Sequence, residues 1–100
     1  MHQEILNIVT DSVKQTNQLL KNKAPIEQGE NCPLFGSNGY LDSMSLVSLV
    51  VSVEEKIEKQ FNTPLILADE KAMSQKRSPF ATVGTLTTYI EELMREVSHA

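Results

Sequence analysis

Apolar positions at the start of the chain follow a helical period. Ile5, Val9, Val13 and Leu20, with Leu6 beside them, fall near one 3.6-residue stripe, while Glu4, Asp11 and Lys14 point elsewhere. This pattern predicts a first helix over residues 3–21, closed off by Pro25. Residues 22–42 then hold Pro25, Gly29, Pro33, Gly36 and Gly39 and read as one long connection. Roughly twenty irregular residues inside a small domain are unusual and often functional. Asn38-Gly39 is a hairpin signal only where alternating strands flank it, which they do not here. It reads as a turn that delivers the chain to Asp42.

Residues 43–60 carry two competing patterns. Leu46 to Val53 is rich in β-branched residues, as a buried strand would be. However, Ser45, Ser48, Ser52 and then Glu55 or Lys56 recur at steps of three and four, a helical polar stripe. A strand would place Ser48, Val50 and Ser52 on one face and mix polar with apolar. A second helix over 43–60 is therefore expected, as the central one, ending at Phe61-Asn62-Thr63-Pro64. Asp69 and Glu70 suit the start of a short helix over 68–73. Residues 74–80 are polar and basic and contain Pro79, as a loop does. Thr82 is a plausible N-cap for a last helix over 82–97, with Val83, Leu86, Ile90, Leu93 and Val97 as its apolar stripe. Neither a repeat nor a domain boundary interrupts residues 1–100. The expected fold is an all-α bundle of three long helices plus one short helix.

At 100 residues the chain is one small domain, long enough to bury its own core. Its net charge of −4 argues against duplex DNA, whose binding rests on Lys and Arg neutralising phosphates, and no predicted helix is basic enough to enter a groove. A single cysteine, Cys32, precludes an intrachain disulfide and fits a reducing compartment. No basic segment leads into an apolar run at the N-terminus, so a cytoplasmic location is expected. The densest apolar stretch, Leu46 to Val53, is too short to span a bilayer, and no membrane insertion is expected.

Enzymatic chemistry has little to build on. His2 and His99 stand beside the chain ends, where order is least expected, and neither is a credible general base. One Cys and two end-of-chain His offer no metal-ligand spacing. Gly36 and Gly39 lack the Lys-Ser/Thr ending of a phosphate-cradling loop, and Cys32 reads as an ordinary thiol. No catalytic residue, no metal and no enzyme activity are expected. Asp42-Ser43-Met44 is the one constellation left, where the long loop meets the second helix. Spacing alone favours Asp42 or Ser43 as an N-cap. The sharper reading is a serine that carries a phosphodiester-linked group at the positive end of a helix, with Asp42 assisting its attachment. Behind it, Leu46, Leu49, Val50, Val53 and Ile57 form a core stripe, and Met44, Val47 and Val51 form another, offset around the helix. A further helix covering that second stripe and an exposed docking strip are equally compatible with the pattern.

Gly39-Tyr40-Leu41-Asp42-Ser43-Met44-Ser45-Leu46-Val47 resembles the phosphopantetheine attachment motif of the acyl carrier protein family. The order of helices, the long loop and the entry through Thr82-Val83 also follow that family, over nearly the whole chain. The resemblance implies an acyl-carrier-protein-like bundle and a carrier, not an enzyme. A phosphopantetheinyl transferase would attach 4'-phosphopantetheine from coenzyme A to Ser43, with Asp42 serving the modification. The arm would hold an acyl group as a thioester for an acyl-activating ligase or synthase and for acyltransferases. By position, Met44, Val47, Val51, Glu54 and Glu55 would form the docking face, and the carrier would work as a monomer. Housekeeping carriers of fatty-acid synthesis usually set acids just after the attachment serine, where this chain has Ser45 and Ser48. Lys71, Lys76 and Arg77 also make the connection before the last helix more basic. These departures point to a specialised lipid or secondary pathway. Leu41-Asp42-Ser43-Met44 is similar to the segment of D-alanyl carrier proteins too, which makes an aminoacyl cargo the runner-up. An unmodified helical adaptor is the alternative of another class.

Overall fold

Helix α1 (His2–Asn17) buries Ile5, Ile8, Val9 and Val13, while Leu6 and Leu20 from the expected stripe pack only partly against the core. The computed structural model describes residues 2–36, 39–67 and 79–98. The short helix expected at 68–73, the basic residues Lys71, Lys76 and Arg77, and His99 lie outside the described residues.

The first helix stops at Asn17 rather than at residue 21. Beyond it the backbone tightens to three-residue spacing: the N–H groups of Gln18, Leu19 and Leu20 donate to the carbonyls of Gln15, Thr16 and Asn17 at 3.2, 2.9 and 3.1 Å. The buried Asn17 carboxamide grips Ala24 at both ends, accepting from its N–H at 2.9 Å and donating to its carbonyl at 3.1 Å. Lys23 Nζ donates to the Asn17 and Leu20 carbonyls at 3.1 and 3.4 Å, adding a second donor at Asn17 O and placing a positive charge at the helix C-terminal end.

Within the stretch expected to be irregular, Ile26–Asn31 forms a 3-10 helix interrupted at Gly29 (φ 61°, ψ −129°), a conformation open to glycine. Residues 32–35 then pair antiparallel with 80–83. Leu34 N–H donates to Ala81 O at 2.8 Å, Phe35 N–H to Phe80 O at 3.1 Å, and Val83 N–H to Cys32 O at 3.0 Å. This short bridge, centred on Pro33 and Thr82, pins the loop to the start of the last helix.

Helix α2 (Ser43–Phe61) buries Leu49, Val50, Val53 and Ile57 and ends at Asn62, whose left-handed backbone (φ 53°, ψ 36°) stops it before Pro64. Helix α3 (Val83–Ser98) buries Val83, Leu86, Tyr89, Ile90 and Met94, with Leu93 half-covered. Thr82 caps it from outside: its hydroxyl accepts the Thr85 N–H at 3.1 Å and the Thr85 hydroxyl accepts the Thr82 N–H at 3.0 Å, a reciprocal box. Phe80 packs edge-on to Tyr89, ring centres 6.5 Å apart.

The bundle is all-α, and its central helix is α1, not α2. α1 packs against both other helices, whereas α2 and α3 have no Cα atoms within 8 Å of each other among the described residues. The reason lies in Ser12 and Thr16. Both are buried and donate to the carbonyls of Ile8 and Ser12 four residues back, at 2.9 and 3.0 Å, so positions that look polar close a second buried side. Lys56 with Gln15 (2.7 Å) and Gln60 with Glu4 (3.2 Å) link α1 to α2 at the surface.

Candidate modification and docking site at the start of α2

The approach to Ser43 is built on one carbonyl. Leu34 O accepts the N–H groups of both Tyr40 and Leu41 at 2.9 Å, turning the chain back on itself. The return is so tight that a Cβ on Gly39 would lie 2.5 Å from that oxygen and 2.7 Å from Phe35 Cα, which only glycine permits. Leu41 is buried beneath the turn, and two residues later α2 begins.

Asp42 is the cap. In extended backbone (φ −87°, ψ −178°), its Oδ1 accepts the Ser45 N–H at 2.8 Å, while its carbonyl accepts the Leu46 N–H at 2.9 Å. That Ser45 N–H holds the Asp42 carboxyl below the usual carboxylate range, so it is an anion at neutral pH. Because Asp42 does the capping, Ser43 is left at the first helical position, exposed, with its hydroxyl in no hydrogen bond among the described residues.

Down the same helix Met44 is 82% exposed, Val47 62% and Val51 45%. No described helix covers the offset stripe, and the short helix expected at 68–73 lies outside the described residues. Met44, Val47 and Val51, spaced by three and then four residues, form a continuous apolar ridge that begins beside Ser43. Leu46, expected in the core stripe, is only half-buried. The two acids beyond the ridge differ. Glu55 faces solvent, whereas Glu54 is half-buried and its Oε2 accepts the Leu67 N–H at 2.8 Å. This bond fastens the extended segment after α2, in which Leu65 and Leu67 turn inward and Ile66 stands 72% exposed. Nothing in the sequence distinguishes Glu54 from Glu55 or Ile66 from its neighbours.

Cys32 is fully buried, and burial, followed by the nearby Glu27 charge, pushes its thiol up, away from nucleophilic use. Among the described residues no group of three or more His, Cys, Asp or Glu side chains is placed to hold a metal ion. Nor is any described helix long and apolar enough to cross a membrane. His2 is exposed, but it is not the unordered end expected of it: its ring lies between Glu91, hydrogen-bonded to Nδ1, and Glu30, 3.2 Å from Nε2. Compared with known proteins, the chain matches no family model, and no curated protein or solved structure is significantly similar to it.

Proposed function

We propose that the protein is an acyl carrier whose Ser43 bears a 4'-phosphopantetheine arm. The observation that supports this most directly is the division of labour at the start of α2, where Asp42 caps and Ser43 stays exposed and uncommitted beside an apolar ridge. The group fits the residues present: a phosphodiester on Ser43 Oγ stands at the positive end of α2, where free backbone N–H groups favour negative charge. In the transfer, Ser43 Oγ forms a bond to the β-phosphorus of coenzyme A. The pyrophosphate bond breaks, 3',5'-ADP departs, and the hydroxyl proton passes to a base on the transferase. When attached, the arm supplies a terminal thiol that holds the cargo as a thioester. Asp42 keeps Ser43 at the helix start and presents a carboxylate to the transferase and its magnesium. Met44, Val47 and Val51, with Glu55, form the face that partner enzymes meet, and Glu54 contributes by holding the segment behind that face. The protein itself carries out no reaction; its partners are the transferase, an acyl-activating ligase or synthase, and acyltransferases.

Intact-protein mass after incubation with coenzyme A, magnesium and a broad-specificity phosphopantetheinyl transferase tests this reading, with Ser43→Ala alongside. Gain of one phosphopantetheine by the native chain alone supports it. No gain by folded protein with several transferases removes it and favours the unmodified adaptor. Loading the modified protein with fatty-acid and amino-acid ligases in parallel then separates an acyl from an aminoacyl cargo. The serines at 45 and 48, in place of acids, favour a specialised lipid or secondary pathway, because charge patterns select partners.

A further inference from the structure

On the opposite flank of α1 from its C-terminal clamp, three elements converge on one imidazole. His2 opens α1, Glu30 stands near the end of the 3-10 helix, and Glu91 lies on α3. Glu91 Oε1 is hydrogen-bonded to His2 Nδ1, and Glu30 Oε1 lies 3.2 Å from His2 Nε2. Each ring nitrogen therefore faces a carboxylate oxygen. Carboxylates only accept, so both contacts are hydrogen bonds only when both nitrogens carry protons. A neutral ring has one N–H and one lone pair; it can satisfy one acid and must turn its lone pair toward the other.

We infer that His2 is a protonation-driven clasp, which as an imidazolium ties α1, the 3-10 helix and α3 together and as a neutral ring releases one of the two acids. The hydrogen bond to Glu91 is the largest influence raising the His2 pKa, opposed by desolvation and assisted by the charges of Glu91 and Glu30. Of the other acids on these elements, Glu4 on α1 accepts from Gln60 of α2, and Glu27 on the 3-10 helix is not among the groups that act on the His2 ring. Since the folded pKa is raised, the clasp's stabilisation is fully present below the ordinary histidine value. It is lost as pH rises through the elevated one.

The clasp closes on a tight seam. A Cβ on Gly84 would lie 2.9 Å from the Glu30 carbonyl oxygen and 3.0 Å from Glu30 Cβ, so the 3-10 helix is pressed against the first turn of α3. The next residues along that strand of chain are the ones that pair with 80–83 and lead to Leu34. Protonation of His2 thus bears on how the long loop is seated, independently of any group on Ser43.

The test is an NMR pH titration of the full chain, following the His2 ring and the amides of Asn31, Cys32 and Gly84. Native protein, Glu30→Gln, Glu91→Gln and His2→Gln are compared. The expected result is a His2 titration above the ordinary value that shifts down in each glutamine variant at Glu30 and Glu91. The three amides follow the same midpoint in native protein and lose that inflection in His2→Gln. A ring that titrates at the ordinary value regardless of Glu30 and Glu91 overturns the inference. A raised ring titration that leaves all three amides unmoved also overturns it, since His2 is then a surface ion pair without a grip on the seam.

Discussion

Glu54 holds Leu67: the carboxylate on α2 accepts the backbone N–H of a residue thirteen places further on, at 2.8 Å. Through this one bond the helix that bears the candidate attachment serine also fixes the extended segment that follows it. Removing the acceptor strands an N–H in a partly covered position. Glu54→Ala should cost about 1 kcal/mol, less than the roughly 1.5–3 kcal/mol of a bond to a charged group, because the site is half-open to solvent. Chemical denaturation measures the loss, and amide exchange should quicken at Leu67 before it does at Ile57. Equal protection of Leu67 in both proteins would mean that the bond carries no weight.

Asp42 combines a cap with a charge, and the two can be separated. Asn caps as well as Asp does, so Asp42→Asn should leave the helix content and thermal midpoint close to native. On the carrier reading the same variant is modified more slowly by a transferase, because the carboxylate is gone. Unchanged modification rates in Asp42→Asn would assign the residue to capping alone. The sign of the pH effect follows from the depressed pKa. The stabilisation from ionised Asp42 is present above the unfolded carboxylate pKa and fades as pH falls through the lower folded value. Asp42→Asn should flatten that part of the acid-denaturation curve.

Val47 and Ile57 lie on the same helix and predict opposite outcomes. Val47→Glu places a charge where the side chain is already 62% exposed, so circular dichroism and melting should hardly change while partner association weakens. Ile57→Ala empties a fully buried position and should destabilise by about 2–5 kcal/mol. An unfolded Val47→Glu would show that the ridge is covered in solution.

At Gly39 a methyl group has no room against the Leu34 carbonyl and the Phe35 backbone. Gly39→Ala should cost more than about 1 kcal/mol, since backbone rather than a flexible side chain must yield. Faster exchange of the Tyr40 and Leu41 amides would locate the damage. A variant with native exchange at both would refute the close approach.

Much of this fold is legible in the sequence where a single local pattern decides. The serine spacing marks α2 as a helix against its β-branched composition, Thr82 announces α3, and the helical offset sets Met44, Val47 and Val51 apart from the core stripe, although it does not say whether another helix covers them. What is not legible depends on partners far along the chain. The end of α1 is set by Asn17 closing on Ala24 and by Lys23 reaching back, neither of which any helical period encodes. The centrality of α1 is hidden because Ser12 and Thr16 count as polar until their hydroxyls are seen to bond within the helix. His2 beside the chain start looks free, and only the convergence of three elements supplies its two acids. At the candidate site, Asp42 and Ser43 compete for the cap on paper, and the backbone geometry awards it to Asp42.

The doubly bonded carbonyl of Leu34 also sets a ruler for α2. Leu41 is anchored to it by hydrogen bond and by burial, and Ser43 starts the helix two residues later. Each residue of an α-helix turns about 100° around the axis. One residue added between Leu41 and Ser43 would therefore rotate the whole helix by more than a quarter turn or tear Leu41 from its anchor. The apolar ridge and Leu49, Val53 and Ile57 could not both keep their present sides. The count from Leu41 to Ser43 is fixed by the packing of a helix that has not yet begun.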